Sequence, residues 1–194
     1  MAKRKVLLIG RNNEPAEVLM VPWFPQHDTD NLCFPASLMM VMYYYSDYYE
    51  NAEINAATPK MSLDQIADMC LCSRENGTRI DNDLAARISE GMRALRATLK
   101  LGYSLEEVRK HAEKGLPTIL IYDGHYLLTG LRGGAHAGVY IGTAKNGDPI
   151  LNNPWVSSLV PYPRPKFEDA WDIRRRRALI IEPVVQKKID GETQ

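Results

Sequence analysis

Apolar and polar positions along the chain fall into two textures. After two short extended runs, apolar residues recur mostly at helical spacing as far as Gly115; from Leu116 they gather into short runs separated by turn formers. The densest stretch is Cys33 to Tyr45 (CFPASLMMVMYYY), which carries no charge and no polar stripe. A helix apolar all round is a buried one, so a central buried helix is predicted there. Pro35 suits its first turn, where the missing N–H costs nothing, and the residues before it are rich in turn formers. Ser62 to Met69 opens with Ser62 as N-cap and Gln65 three residues on, a capping-box start, and puts Leu63, Ile66, Ala67 and Cys70 on one face. Asp81 to Leu99 reads as another helix, weakened in its middle by Gly91. Ser104 to Lys114 reads as a helix with an N-cap, an acidic first turn and a stop at Gly115. His111 falls on its exposed half and reads as a surface residue.

The extended runs are Lys5 to Gly10 and Glu17 to Pro22, then LPTILIY, AGVYIG, DPILNNPW and ALIIEPVV in the second half. Trp23 to Asn31 is a loop dense in Pro, Asp and Asn, and GHYLLTGLRGGAH carries several turn signals, among them Gly133-Gly134. Asn146-Gly147 is a turn of the type that joins hairpin strands. Phe167 to Trp171 is a short amphipathic turn of helix. The polar, acidic stretch that follows the central helix and closes at Pro59 reads as a surface excursion, its tyrosines as core edge rather than a binding face. Gln186 to Gln194 is polar and expected to fray. Helices first and an antiparallel sheet afterwards make the expected class α+β. With no repeat and no linker, 1–194 reads as one domain with its core at about 17–184.

Charge narrows the functional classes. The chain has 24 Lys plus Arg against 24 Asp plus Glu, so nothing in the balance points to nucleic acid or membrane as a general partner. The run Arg174 to Arg177 is one basic cluster in a neutral chain, and alternate arginines of an edge strand facing water account for it. The apolar run VLLIG is too short for a secretory signal or a membrane span and reads as a first strand. Three cysteines do not make a disulfide framework, which fits a reducing compartment and a cytoplasmic location. Cys70 and Cys72 form a C-x-C pair with no second pair and no close histidine, so neither a metal nor another cofactor is expected.

Chemistry concentrates at the start of the central helix. Unpaired N–H groups and the helix dipole favour negative charge there, so a thiol at Cys33 is expected to have a lowered pKa and to act as a nucleophile. An attacking thiolate needs a base, a group to orient that base, and donors for the oxyanion. Of the four histidines, His27 lies in the loop beside Gln26, and His125 precedes a loop and is the credible rival. His136 heads the AGVYIG strand, with small Ala137 and Gly138 beside it, and a strand supplies the rigidity a base requires. A hairpin turning at Asn146-Gly147 returns Asn152-Asn153-Pro154-Trp155 alongside His136, where an Asn oxygen accepts from the imidazole N–H. Gln26 would offer its amide to the oxyanion together with the Cys33 N–H.

These motifs, VPWFPQ…CFPASLMMVMYYY, SLEEVRKHAEKGLPTILIY, HAGVYIG and ILNNPW, resemble the papain-like cysteine peptidases, and within them the C39-like family related to the double-glycine leader peptidases. The resemblance covers most of residues 17–184. It implies a papain-like fold, a peptide or protein substrate, and a site of Cys33 as nucleophile, His136 as base, Asn153 as orienter and Gln26 as oxyanion donor. The family commonly has Cys-Gly and Asp-Pro where this chain has Cys33-Phe34 and Asn153-Pro154. Phe34 is therefore expected to put bulk where glycine leaves the site open. Asn, however, is the orienter in papain itself. The scaffold also supports acyl transfer to an amine, and a binding module that has lost catalysis is the rival from another class.

Overall fold

The structure, a computed structural model, describes residues 4–9, 14–26 and 31–184. The readings of His27 and of the 186–194 tail lie outside these residues. The chain opens with a hairpin of β1 (Arg4–Ile9) and β2 (Glu14–Leu19), then enters the helical half: α1 (Cys33–Asp47), α2 (Ala52–Ala57), α3 (Leu63–Met69) and α4 (Asn82–Gly91). Strand β3 (Leu95–Lys100) and helix α5 (Leu105–Glu113) lead into β4 (Thr118–Asp123), α6 (Gly124–Thr129) and β5 (Ala135–Thr143). Strands β6 (Pro149–Asn153) and β7 (Ser157–Pro161), helix α7 (Arg164–Ile173) and β8 (Arg177–Pro183) complete it. The sheet runs β1-β2-β5-β4-β8-β3, with β6 attached to β5 and β7 to β6, and every pairing is antiparallel. The architecture is α+β.

Helix α1 is buried as its composition requires: Leu38, Met40, Val41, Met42, Tyr44 and Tyr45 are fully enclosed. It packs on β5 and β4, whose residues are themselves almost all buried. The tyrosines at its end belong to the core. The Tyr44 hydroxyl donates to Gly115 O at 2.9 Å and the Tyr45 hydroxyl to Ile181 O at 2.6 Å, so their polar ends are satisfied as burial demands. The capping box at Ser62 starts α3, and Ser104 starts α5 in the same way. Asn51 caps α2, which interrupts the expected surface excursion and buries Ile54.

Four expectations need correction. The helix read from Asp81 to Leu99 stops at Gly91, and Leu95–Lys100 is strand β3, paired along its whole length with β8. Gly124–Thr129 is helix α6, capped by Asp123, where only turns were expected. Arg174 to Arg177 is not an edge strand. Arg175 and Arg176 make a tight turn with φ of 61° and 46°, and Arg177 opens β8, which lies between β4 and β3. Arg174 pairs with Asp123 and Arg176 with Asp172, so half of the basic run is neutralised within the chain. His111 is half-buried, with Nε2 2.8 Å from the Tyr103 hydroxyl. Among the described residues no helix is long and apolar enough to cross a membrane, and no group of three or more His, Cys, Asp or Glu could hold a metal ion.

Candidate active site

Cys33 is the first residue of α1, and the preceding N-cap, Leu32, has no side-chain acceptor to satisfy the helix N-terminus. The N–H groups of the first turn are therefore left for whatever lies in front of them. The Cys33 thiol is approached by the N–H of Phe34 and, across from the helix, by the N–H of Ala137. Ala137 adjoins His136 in β5, so the sheet brings the histidine's own strand against the sulfur. The Phe34 ring, expected from sequence to add bulk at the site, is 2 % exposed and packs in the core.

His136 is buried and held on several sides. Its Nε2 lies 2.8 Å from Asn153 Oδ1, which leaves Nδ1 as the ring's acceptor. The rings of Tyr122 and Trp155 stand 5.5 and 5.8 Å from the imidazole, centroid to centroid. Gly124 closes another side: a Cβ there would lie 2.8 Å from His136 Cβ. Asn153 Oδ1 also accepts from the Trp155 N–H at 2.9 Å, while Asn153 Nδ2 donates to the Tyr162 hydroxyl at 2.6 Å. The hairpin that ends at Asn153 follows the expected turn, with β6 antiparallel to β5 and Asn152 opposite Val139.

The loop before α1 is stitched to this hairpin. Gln26 N–H donates to Pro154 O and Trp23 Nε1–H to Asn153 O, each at 2.9 Å. Asn152 Nδ2 donates to Val21 O at 2.9 Å, in a buried bond. Of the two asparagines, Asn152 is thus structural, and Asn153 faces the histidine. His125 belongs elsewhere: it is exposed on α6, with Nδ1 2.9 Å from Leu131 O.

The model of the Peptidase_C39 like family matches residues 18–179. The chain belongs to the C39-like peptidase family. Among solved structures it is similar to the crystal structure of a presumed C39-like peptidase from Bacillus anthracis, at 18% sequence identity and a TM-score of 0.63. That likeness, over 86% of this chain and 96% of the other, is one of fold. No curated protein sequence matches the chain.

The electrostatics of this C39-like peptidase domain differ from the sequence expectation. Burial pushes the Cys33 thiol up to about 11, outweighing the N–H groups of Ala137 and Phe34, which favour the thiolate. The expected lowering at the helix N-terminus is thus present in direction but smaller than desolvation. Burial likewise drives His136 down to about 4, against the hydrogen bond to Asn153, which favours the cation. At neutral pH both groups rest uncharged. Sequence reasoning missed the groups that hold His136 and Asn153, namely Tyr122, Gly124 and Tyr162, and gave Trp155 no role. Trp155 alone had a signal, as the aromatic closing the Asn-Pro-Trp motif.

Proposed function

We propose that the protein is a cysteine peptidase that hydrolyses a peptide or isopeptide bond through a Cys33 thioacyl intermediate. The observation that carries this reading is the His136 imidazole, bound through Nε2 to Asn153 and carried on the strand whose next N–H meets the Cys33 thiol. Because the pair rests neutral, His136 Nδ1 takes the thiol proton as sulfur attacks the carbonyl carbon, rather than meeting a preformed thiolate. The carbonyl oxygen becomes an oxyanion, stabilised by the Cys33 N–H and the Gln26 side-chain amide. As the C–N bond breaks, the imidazolium returns its proton to the leaving amine. Water then attacks the thioester, giving a proton to His136, and the acid departs as the thiol is restored. Asn153 keeps the proton on Nε2 throughout.

The substrate is a peptide or protein. The three cysteines are free, which fits a reducing compartment such as the cytoplasm. A binding module that has kept the fold without catalysis is the second reading, and the raised thiol pKa favours it. Cleavage of a peptide mixture by wild type and by Cys33→Ala separates them. Loss of wild-type cleavage in the variant supports the peptidase. No cleavage by wild type, with a thiol that resists alkylation near pH 6, supports the binding module. Added amines that appear in the products would identify acyl transfer.

A further inference from the structure

Resting on the reading of His136 as the base, we propose that Tyr162 is a positioning residue: it pins the Asn153 amide that the Trp155 N–H turns with its oxygen toward His136, and so helps to fix which imidazole nitrogen is free to take the thiol proton. The amide of asparagine is nearly symmetric in shape, and its reversal would turn an N–H₂ toward His136. That would favour the opposite tautomer and leave Nδ1, the nitrogen needed as acceptor, carrying the proton. One group opposes the reversal, and a second pins the amide in place. The Trp155 backbone N–H is a donor only, and it meets Oδ1 at 2.9 Å. At the other end Nδ2 is within 2.6 Å of the Tyr162 hydroxyl, which accepts from it.

Tyr162 is placed firmly enough for this task. Its N–H donates to Pro149 O at 3.0 Å, tying it to the start of β6, and its ring packs on Phe167 and Tyr122. The rings of Tyr122 and Tyr162 stand 6.3 Å apart, centroid to centroid. Tyr122 stands opposite His136 in the β4–β5 pairing. The contacts therefore close around the imidazole: His136, Asn153, Tyr162, Tyr122 and back to the His136 ring. A hydroxyl has a further property here. It accepts from an amide and donates to a carboxylate, so Tyr162 serves an Asn at position 153 and would serve an Asp equally.

Nitrogen-15 NMR of the His136 ring in wild type, Tyr162→Phe and Asn153→Asp tests this, with hydrolysis measured on the same samples. Wild type is expected to hold a single Nε2–H tautomer. Tyr162→Phe keeps the ring but removes the acceptor; it is expected to show mixed tautomers, with kcat lower by roughly 10- to 100-fold and KM little changed. Asn153→Asp is expected to retain the Nε2–H tautomer with the His136 titration moved upward, because either carboxylate oxygen accepts from Nε2–H and the added negative charge favours the imidazolium. A single tautomer and wild-type kcat in Tyr162→Phe would overturn the proposal. If that variant does not fold, the Asn153 side-chain amide of wild type decides: N–H₂ protons that exchange with water as fast as those of an exposed asparagine, with no hydrogen bond to Tyr162, overturn the proposal as well. Should wild type hydrolyse nothing while the tautomer responds as described, the positioning role stands and the peptidase reading is what fails.

Discussion

His136 sits in a space that a single methyl group would spoil. Gly124 lies against it, and an added Cβ would stand 2.8 Å from His136 Cβ and 3.3 Å from Cγ, closer than side chains tolerate. Gly124 is the first residue of α6 and has no positive φ, so alanine is acceptable to its backbone. Gly124→Ala is therefore expected to fold, at a cost of about 1–3 kcal/mol from overpacking. It should displace the imidazole from Asn153, lowering kcat by roughly tenfold or more. Thermal melting with steady-state kinetics checks this. At this scale the sequence was informative where chemistry singles out a residue type. A cysteine at the head of an uncharged helix, a histidine heading a strand, and an asparagine returned by an Asn-Gly hairpin were each visible. Gly124 and Tyr162 were not, because a glycine in a turn-rich run and a tyrosine among prolines carry no mark of the neighbour they will touch.

Elements were legible to the extent that their signals are local. Ser62 with Gln65 and Ser104 with Glu107 announce their helices, and both capping boxes form. The Leu95–Lys100 segment, LRATLK, has Leu95 and Leu99 at helical spacing, which fits a continuation of α4 as well as a strand. What decides is β8, more than seventy residues later, which takes all six residues as partners. Helix α6 depends on a long-range event too. Its cap, Asp123, is fully buried, binds the N–H groups of Tyr126 and Gly133, and pairs with Arg174 at 2.8 Å from the turn before β8. Burial alone would raise its pKa, but these hydrogen bonds and the guanidinium prevail and hold it below its ordinary value. Asp123 thus ties α6, the approach to β5 and the turn before β8 together. Asp123→Ala is expected to destabilise the fold by about 3 kcal/mol, the scale of a broken buried pair plus a lost cap. Urea unfolding would measure it, and a change within about 0.5 kcal/mol would show that the tie is not stabilising.

The molecule as a whole carries the cost of holding a partly buried thiol and a buried imidazole uncharged. His136 titrates near 4 folded against an ordinary 6.5, so between these values the unfolded chain binds a proton that the folded one does not. Stability is therefore expected to be full above about pH 6.5 and to fall as pH drops toward 4, by about 3 kcal/mol from this group. Cys33 acts in the opposite range: its folded pKa near 11 exceeds the ordinary 9.0, so stability should decline as pH rises from 9 toward 11. Chemical denaturation across pH checks for a plateau between the two limbs, and the acid limb should shrink in a folded His136→Ala variant. That the imidazole is buried and the thiol largely withdrawn from water follows from how α1 meets β5, a fact of packing that the sequence does not display; hence the expected thiolate gave way to a neutral thiol. Under the proposed mechanism a neutral thiol makes reaction at Cys33 depend strictly on His136. The most direct test incubates wild type and His136→Ala with a peptidyl Michael acceptor, followed by intact mass and adduct mapping. One adduct at Cys33 is expected in wild type, with Cys70 and Cys72 unmodified, forming roughly a hundredfold more slowly without His136. An adduct that prefers Cys72, or a Cys33 rate indifferent to His136→Ala, would contradict the account.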